Sequence, residues 1–103
     1  MDYLDLQKAT KEFCDSCFKL DKAMLAKEEA FRVYRNLENE ARKQYFSKLQ
    51  MKEITNALYQ ENIRNHMFEA KVEFEALDMA VRRLQNMKDY RHEVLNTIKK
   101  SIN

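Results

Sequence analysis

Two spacings in this sequence use residue types that carry chemistry. Cys14-Asp15-Ser16-Cys17 has the Cys-x-x-Cys pattern. That pattern serves thiol–disulfide exchange in a βαβ setting, or supplies half of a four-ligand zinc site. Asp89-x-x-His92 puts a carboxylate and an imidazole on one helix face, the arrangement that di-metal helical bundles use twice, with two further glutamates.

Neither set is complete. No strand pattern accompanies the cysteines, and His66 and His92 do not form a second ligand pair. The Asp89 motif occurs once and carries Asp in place of Glu. Glu69 and Glu73 near His66 make an acidic cluster of a kind that 35% charged residues produce by chance. Ser16, Ser47 and Ser101 lack any glycine elbow or oxyanion loop. The expected roles are therefore structural, with Cys17 in a helix seam and Cys14 beside it. No catalytic residue, metal, cofactor or small-molecule substrate is expected.

The elements that would position these residues are helices. The 103 residues include no glycine and no proline, so the two strongest interrupters of helix are missing. Glycine-rich phosphate loops and tight hairpin turns are excluded for the same reason. Hydrophobic residues make up 45%. A two-in-seven coiled-coil seam needs about 29%, and a core-facing helix about 43%. The fold class expected is all-α, with helices touching more than one neighbour.

Apolar periodicity marks the faces. In the second half Ile63, Met67, Ala70, Phe74, Leu77, Val81, Leu84, Lys88, Arg91, Leu95, Ile98 and Ile102 follow steps of four and three, a heptad seam. Between Met67 and Met87 the apolar content is about twice that of a pure seam, which predicts burial on more than one side. In the first half Leu6, Thr10, Phe13, Cys17, Leu20, Met24, Lys27, Phe31 and Tyr34 keep heptad steps, followed by Leu37, Ala41, Tyr45 and Leu49 at longer ones. Asp2 is the expected N-cap, with Asp5 three residues on.

The phase of the stripe slips between Leu49 and Ile63, which predicts a reversal near residues 50–57. Thr55-Asn56 is the poorest helix-forming pair there, and Asn suits a left-handed C-terminal position. Ser47-x-x-Gln50 offers a second break as a capping box. Charge supports antiparallel pairing. Residues 1–30 carry net −2, 31–60 net +3, 61–80 net −3 and 81–103 net +4. Folding near residue 54 sets each block against its opposite. The favoured architecture is a long antiparallel hairpin associating into a coiled-coil or four-helix-type bundle, one domain over residues 1–103. The alternative is one straight helix in an antiparallel dimer, which has the same charge complementarity.

The function expected is non-enzymatic: a scaffold module for protein–protein assembly, with a homo-oligomer or a helical protein as partner. Its interface would comprise Phe13, Cys17, Leu20, Met24, Phe31, Tyr34, Leu37, Tyr45, Leu49, Ile63, Met67, Phe74, Leu77, Val81, Leu84, Leu95 and Ile98. Phe18, Phe46, Tyr59, Phe68 and Tyr90 fall at the stripe's edge or outside it and point to a partner surface. The alternative function is a membrane-surface helical bundle in which Arg32, Arg35, Arg42 and Lys43, within one arc of the helical wheel, face anionic lipid. Nucleic acid is disfavoured, because acidic blocks interrupt the basic ones. No apolar run reaches the length of a membrane span, and no basic segment precedes an apolar block at the N-terminus. The expected location is cytoplasmic, with the nucleus as alternative, neither secreted nor transmembrane.

Overall fold

The computed structural model describes residues 2–102. It is all-α: α1 spans Tyr3–Gln50 and α2 spans Asn56–Ile102, with no strand among the described residues. Both helices are several times the usual length of about 11 residues. With neither glycine nor proline, nothing in their interiors interrupts them.

The start of α1 follows the expected cap. The Asp5 amide donates to Asp2 Oδ1 at 3.1 Å, and the Asp2 amide donates to Asp5 Oδ2 at 3.2 Å. Two orphan amides are thereby satisfied reciprocally, as in a capping box. Both carboxylates also sit at the positive end of the helix dipole.

The reversal occurs where expected but is built from other residues. Lys52, rather than Asn56, takes the left-handed conformation, at φ 58°. The Glu53 amide donates to Lys48 O at 2.9 Å and the Lys52 amide to Leu49 O at 3.1 Å. These two bonds form a Schellman motif, which satisfies the last carbonyls of α1. Thr55 then caps α2: its hydroxyl oxygen accepts from the Leu58 amide at 3.1 Å, and its carbonyl accepts from the Tyr59 amide at 2.9 Å. Asn56 is already helical. The Ser47–Gln50 segment makes no break and is the last turn of α1. Both bonds to Thr55 place it before the helix and Asn56 inside it.

The chain divides into two compact units, Met1–Ala26 with Asp78–Asn103 (unit 1) and Lys27–Leu77 (unit 2). In unit 1 the two helices pair antiparallel: Ala9, Leu95 and Ile98 form a buried cluster, flanked by Leu6, Phe13, Val94 and Ile102. In unit 2 the pairing is antiparallel as well. Ala41, Tyr59, Ile63 and Met67 form the core, with Tyr34, Leu37, Tyr45, Leu49 and Ile54 packed on it.

The α2 seam lies as expected from Ile63 to Ile102, each position buried or half-buried. On α1 alternate seam positions differ by one residue. Ala9, Ser16, Ala23 and Ala30, recurring every seven residues, are buried or half-buried, whereas Thr10, Met24 and Phe31 are exposed and Cys17 is half-buried. Both choices satisfy heptad spacing. Packing selects the small residues because large side chains of α2 insert opposite them. Phe74 lies between Lys27, Phe31 and Tyr34, with ring centroids 5.4 Å from Phe31 and 6.1 Å from Tyr34. The buried Ala30 is on the same face, so the site resembles a knob entering a four-residue hole. Ser16, which is buried, donates its hydroxyl to Glu12 O at 2.9 Å, which satisfies it without a partner on α2.

Two substitutions in the connection should act in opposite directions in urea denaturation. Lys52→Gly removes a side chain from a left-handed residue and should stabilise by about 0.5–1 kcal/mol. Thr55→Ala deletes a cap and should destabilise by about 1 kcal/mol. Ala30→Leu overfills the seam and should lower stability by about 1–3 kcal/mol in the same measurement.

Candidate interaction surface

The groups with chemical potential are exposed on the helices, apart from the half-buried Cys17. Cys14 is exposed and Cys17 half-buried, both as free thiols. The His92 ring lies against Phe13, with centroids 5.3 Å apart. Asp89 accepts from Gln85 Nε2 at 3.0 Å. His66, Glu69 and Glu73 line an open groove in unit 2 with Val33, Leu37 and Phe68. Among the described residues no group of three or more His, Cys, Asp or Glu is placed to hold a metal ion.

Several charges near the seams are paired within a helix. Arg32 bridges Glu29 at 3.0 Å, Arg42 bridges Glu38 at 3.4 Å, and Arg35 lies 3.9 Å from the same Glu38 carboxylate while stacking over Phe31. Two carboxylates thus sit within the basic arc, and Lys43 stands exposed beside them. In unit 1 the Arg91 guanidinium donates to Glu12 Oε2 at 2.8 Å. Each side chain there is one-third exposed. This pair joins the helices directly. At that exposure it contributes about 1 kcal/mol or less and acts chiefly to set direction and register.

The residues expected at an assembly interface fall into two groups. Leu20, Ile63, Met67, Leu95 and Ile98 are buried. Phe13, Cys17, Tyr34, Leu37, Tyr45, Leu49, Phe74, Leu77, Val81 and Leu84 are half-buried. All of these lie on the stripe by which one helix of the chain meets the other. Met24 and Phe31 are exposed at 45% and 47%. Of the aromatics expected outside the stripe, Phe18, Phe46, Phe68 and Tyr90 are exposed, while Tyr59 is core at 6%. Tyr59 follows the short cap at Thr55, which turns it toward Ala41 and Ile63.

The Met67–Met87 stretch is covered on one side alone. Phe68, Val72, Met79 and Met87 are all exposed. The other helix is the sole neighbour of α2 within each unit, and one neighbour covers one stripe. Tyr3, Leu4, Leu25, Val33 and Leu58 add further exposed apolar surface. Period-counting on the seam gave no sign of them, although their apolar character off the stripe was the available signal. No large side chain among the described residues is completely buried. Among those residues no helix is long and apolar enough to cross a membrane.

Thiol exposure provides a direct check of this placement. In the folded protein Cys14 should react with an aromatic disulfide reagent several-fold faster than Cys17, and both rates should converge in denaturant. Comparisons with family models, with curated proteins and with solved structures find no match to this chain.

Proposed function

We propose that this chain is a non-enzymatic helical assembly module, which associates through coiled-coil-type helix packing and so holds larger components together. The observation that carries this reading is the surplus of apolar surface. Each helix of a unit spends one stripe on its partner helix, yet Phe18, Phe46, Phe68, Met79 and Tyr90 remain outside with about half or more of their surface free. Aromatic and methionine side chains off the seam are the composition of interface cores, where charged residues are depleted. A further pair of helices laid on these faces would make a four-helix-type bundle and cover them.

The runner-up is a membrane-surface module using Arg32, Arg35, Arg42 and Lys43. It has weaker support, because Glu29 and Glu38 pair with three of those four cations. An arc with fewer unpaired cations attracts anionic lipid less.

Light scattering decides between association and its absence. The monomer mass is 12.5 kDa, and a larger mass is expected at roughly 100 μM. Phe18→Asp combined with Phe68→Asp should return the mass to the monomer while helix content by circular dichroism stays unchanged, because both side chains are exposed. A folded monomer of the unsubstituted chain at that concentration would falsify self-assembly. Binding to anionic vesicles that disappears on charge reversal at Arg35 and Arg42 would favour the membrane reading.

A further inference from the structure

The contacts that join α1 to α2 have midpoints within about two residues of Lys52. Ala9 packs with Leu95 in unit 1, and Ala41 with Ile63 in unit 2. Both pairs are centred on Lys52. Phe13 with His92 and Phe31 with Phe74 are centred on the link between Lys52 and Glu53. An antiparallel pairing centred in this way is self-complementary. Two straight copies of the chain meet in the same register, and each residue meets the neighbour type that it has inside its own chain. The alternating charge blocks match equally well in that arrangement.

The seam also continues through the connection. Leu49, Lys52, Asn56, Tyr59 and Ile63 follow steps of three and four, so Leu49 and Ile63 are two heptads apart. The stripe can thus be traced through the connection with Lys52 and Asn56 as its polar positions, and the slip reduces to the consecutive steps of four from Tyr59 through Ile63 to Met67. Met51, Lys52 and Glu53 are good helix formers, with no glycine or proline among them. Lys52 itself holds a left-handed φ of 58°, a conformation that its Cβ disfavours.

We propose that the chain exchanges helices with a second copy of itself. Residues 51–55 become helical, α1 and α2 fuse into one helix, and each α2 occupies the seam on α1 of the other copy. Lys52 sets the balance. Its left-handed conformation weighs against the hairpin. In the straight dimer it lies on the two-fold axis against Lys52 of the partner subunit, and two like charges in a seam weigh against that state. The proposal deepens the assembly reading by naming a second copy as the partner.

The test compares the full-length chain with Lys52→Gly and Lys52→Leu, all carrying Cys14→Ser and Cys17→Ser. Glycine relieves the left-handed residue and weakens the straight helix. Leucine does the opposite and fills the seam. Mass is read by light scattering. Spin labels at positions 43 and 61, on chains diluted with unlabelled protein, report the distance across the connection. That distance is about 10 Å between paired helices and about 27 Å along one straight helix. The dimer fraction should rise from Lys52→Gly through the unsubstituted chain to Lys52→Leu, by at least tenfold in dissociation constant, and the longer distance should rise with it. Lys52→Met should reproduce Lys52→Leu, which guards against a failure peculiar to one variant. Equal dimer fractions in all variants overturn the proposal. So does a dimer that keeps the short distance, a result that would leave assembly through the outer faces standing.

Discussion

The small residues spaced seven apart on α1 are the constraint on which the structure rests. Ala9, Ser16, Ala23 and Ala30 are buried or half-buried on the seam, where small side chains leave room for the facing helix. Phe74 between Lys27, Phe31 and Tyr34 shows the consequence in unit 2. In unit 1 Ala9 stands under Leu95 and Ile98. A larger residue at any of these positions would push the helices apart and forfeit the dispersion contacts of its neighbours. Antiparallel direction is reinforced by Glu12 and Arg91, whose separate blocks carry opposite sign.

A layer of two helices has a geometric limit. Each helix can cover one stripe of the other, and the remaining circumference faces solvent. A sequence written only for such a layer would be polar outside the stripe. Here Phe18, Val72, Met79 and Tyr90 are not. The charged residues among them keep the chain hydrated, with intrahelical bridges such as Arg82 to Asp78 and Arg32 to Glu29. Such exposed bridges contribute little to stability. The apolar excess is therefore the feature of the surface that most strongly calls for covering, and the proposed assembly role rests on it.

The same economy of parts explains the fate of the residues with reactive side chains. His92 packs on Phe13, Asp89 accepts from Gln85, and the cysteines bracket the seam position taken by Ser16. On long helices, groups three or four apart share a face simply by periodicity. A site needs convergence from several elements, and two helices offer few directions from which ligands can converge.

The sequence by itself determined helix nearly everywhere, the cap at Asp2, the α2 seam and antiparallel pairing, and it favoured a reversal within residues 50–57 over one straight helix. These follow from local rules: absent glycine and proline, hydrophobic period, short-range side-chain bonds and charge blocks. Three matters were decided only in the tertiary structure. Thr10, Cys17, Met24 and Phe31 satisfy the heptad as well as Ala9, Ser16, Ala23 and Ala30 do, and only the bulk of the facing helix separates the two sets. Tyr59 lies four residues before Ile63 on the α2 stripe, and it became core once the cap at Thr55 let α2 begin early enough to pack it against Ala41. Lys52 accepted the left-handed conformation without glycine, since two Schellman hydrogen bonds and the packing of Ile54 outweigh the strain of one residue. Period counts residues along one helix, whereas packing compares volumes across two, and that second comparison does not exist until the helices meet.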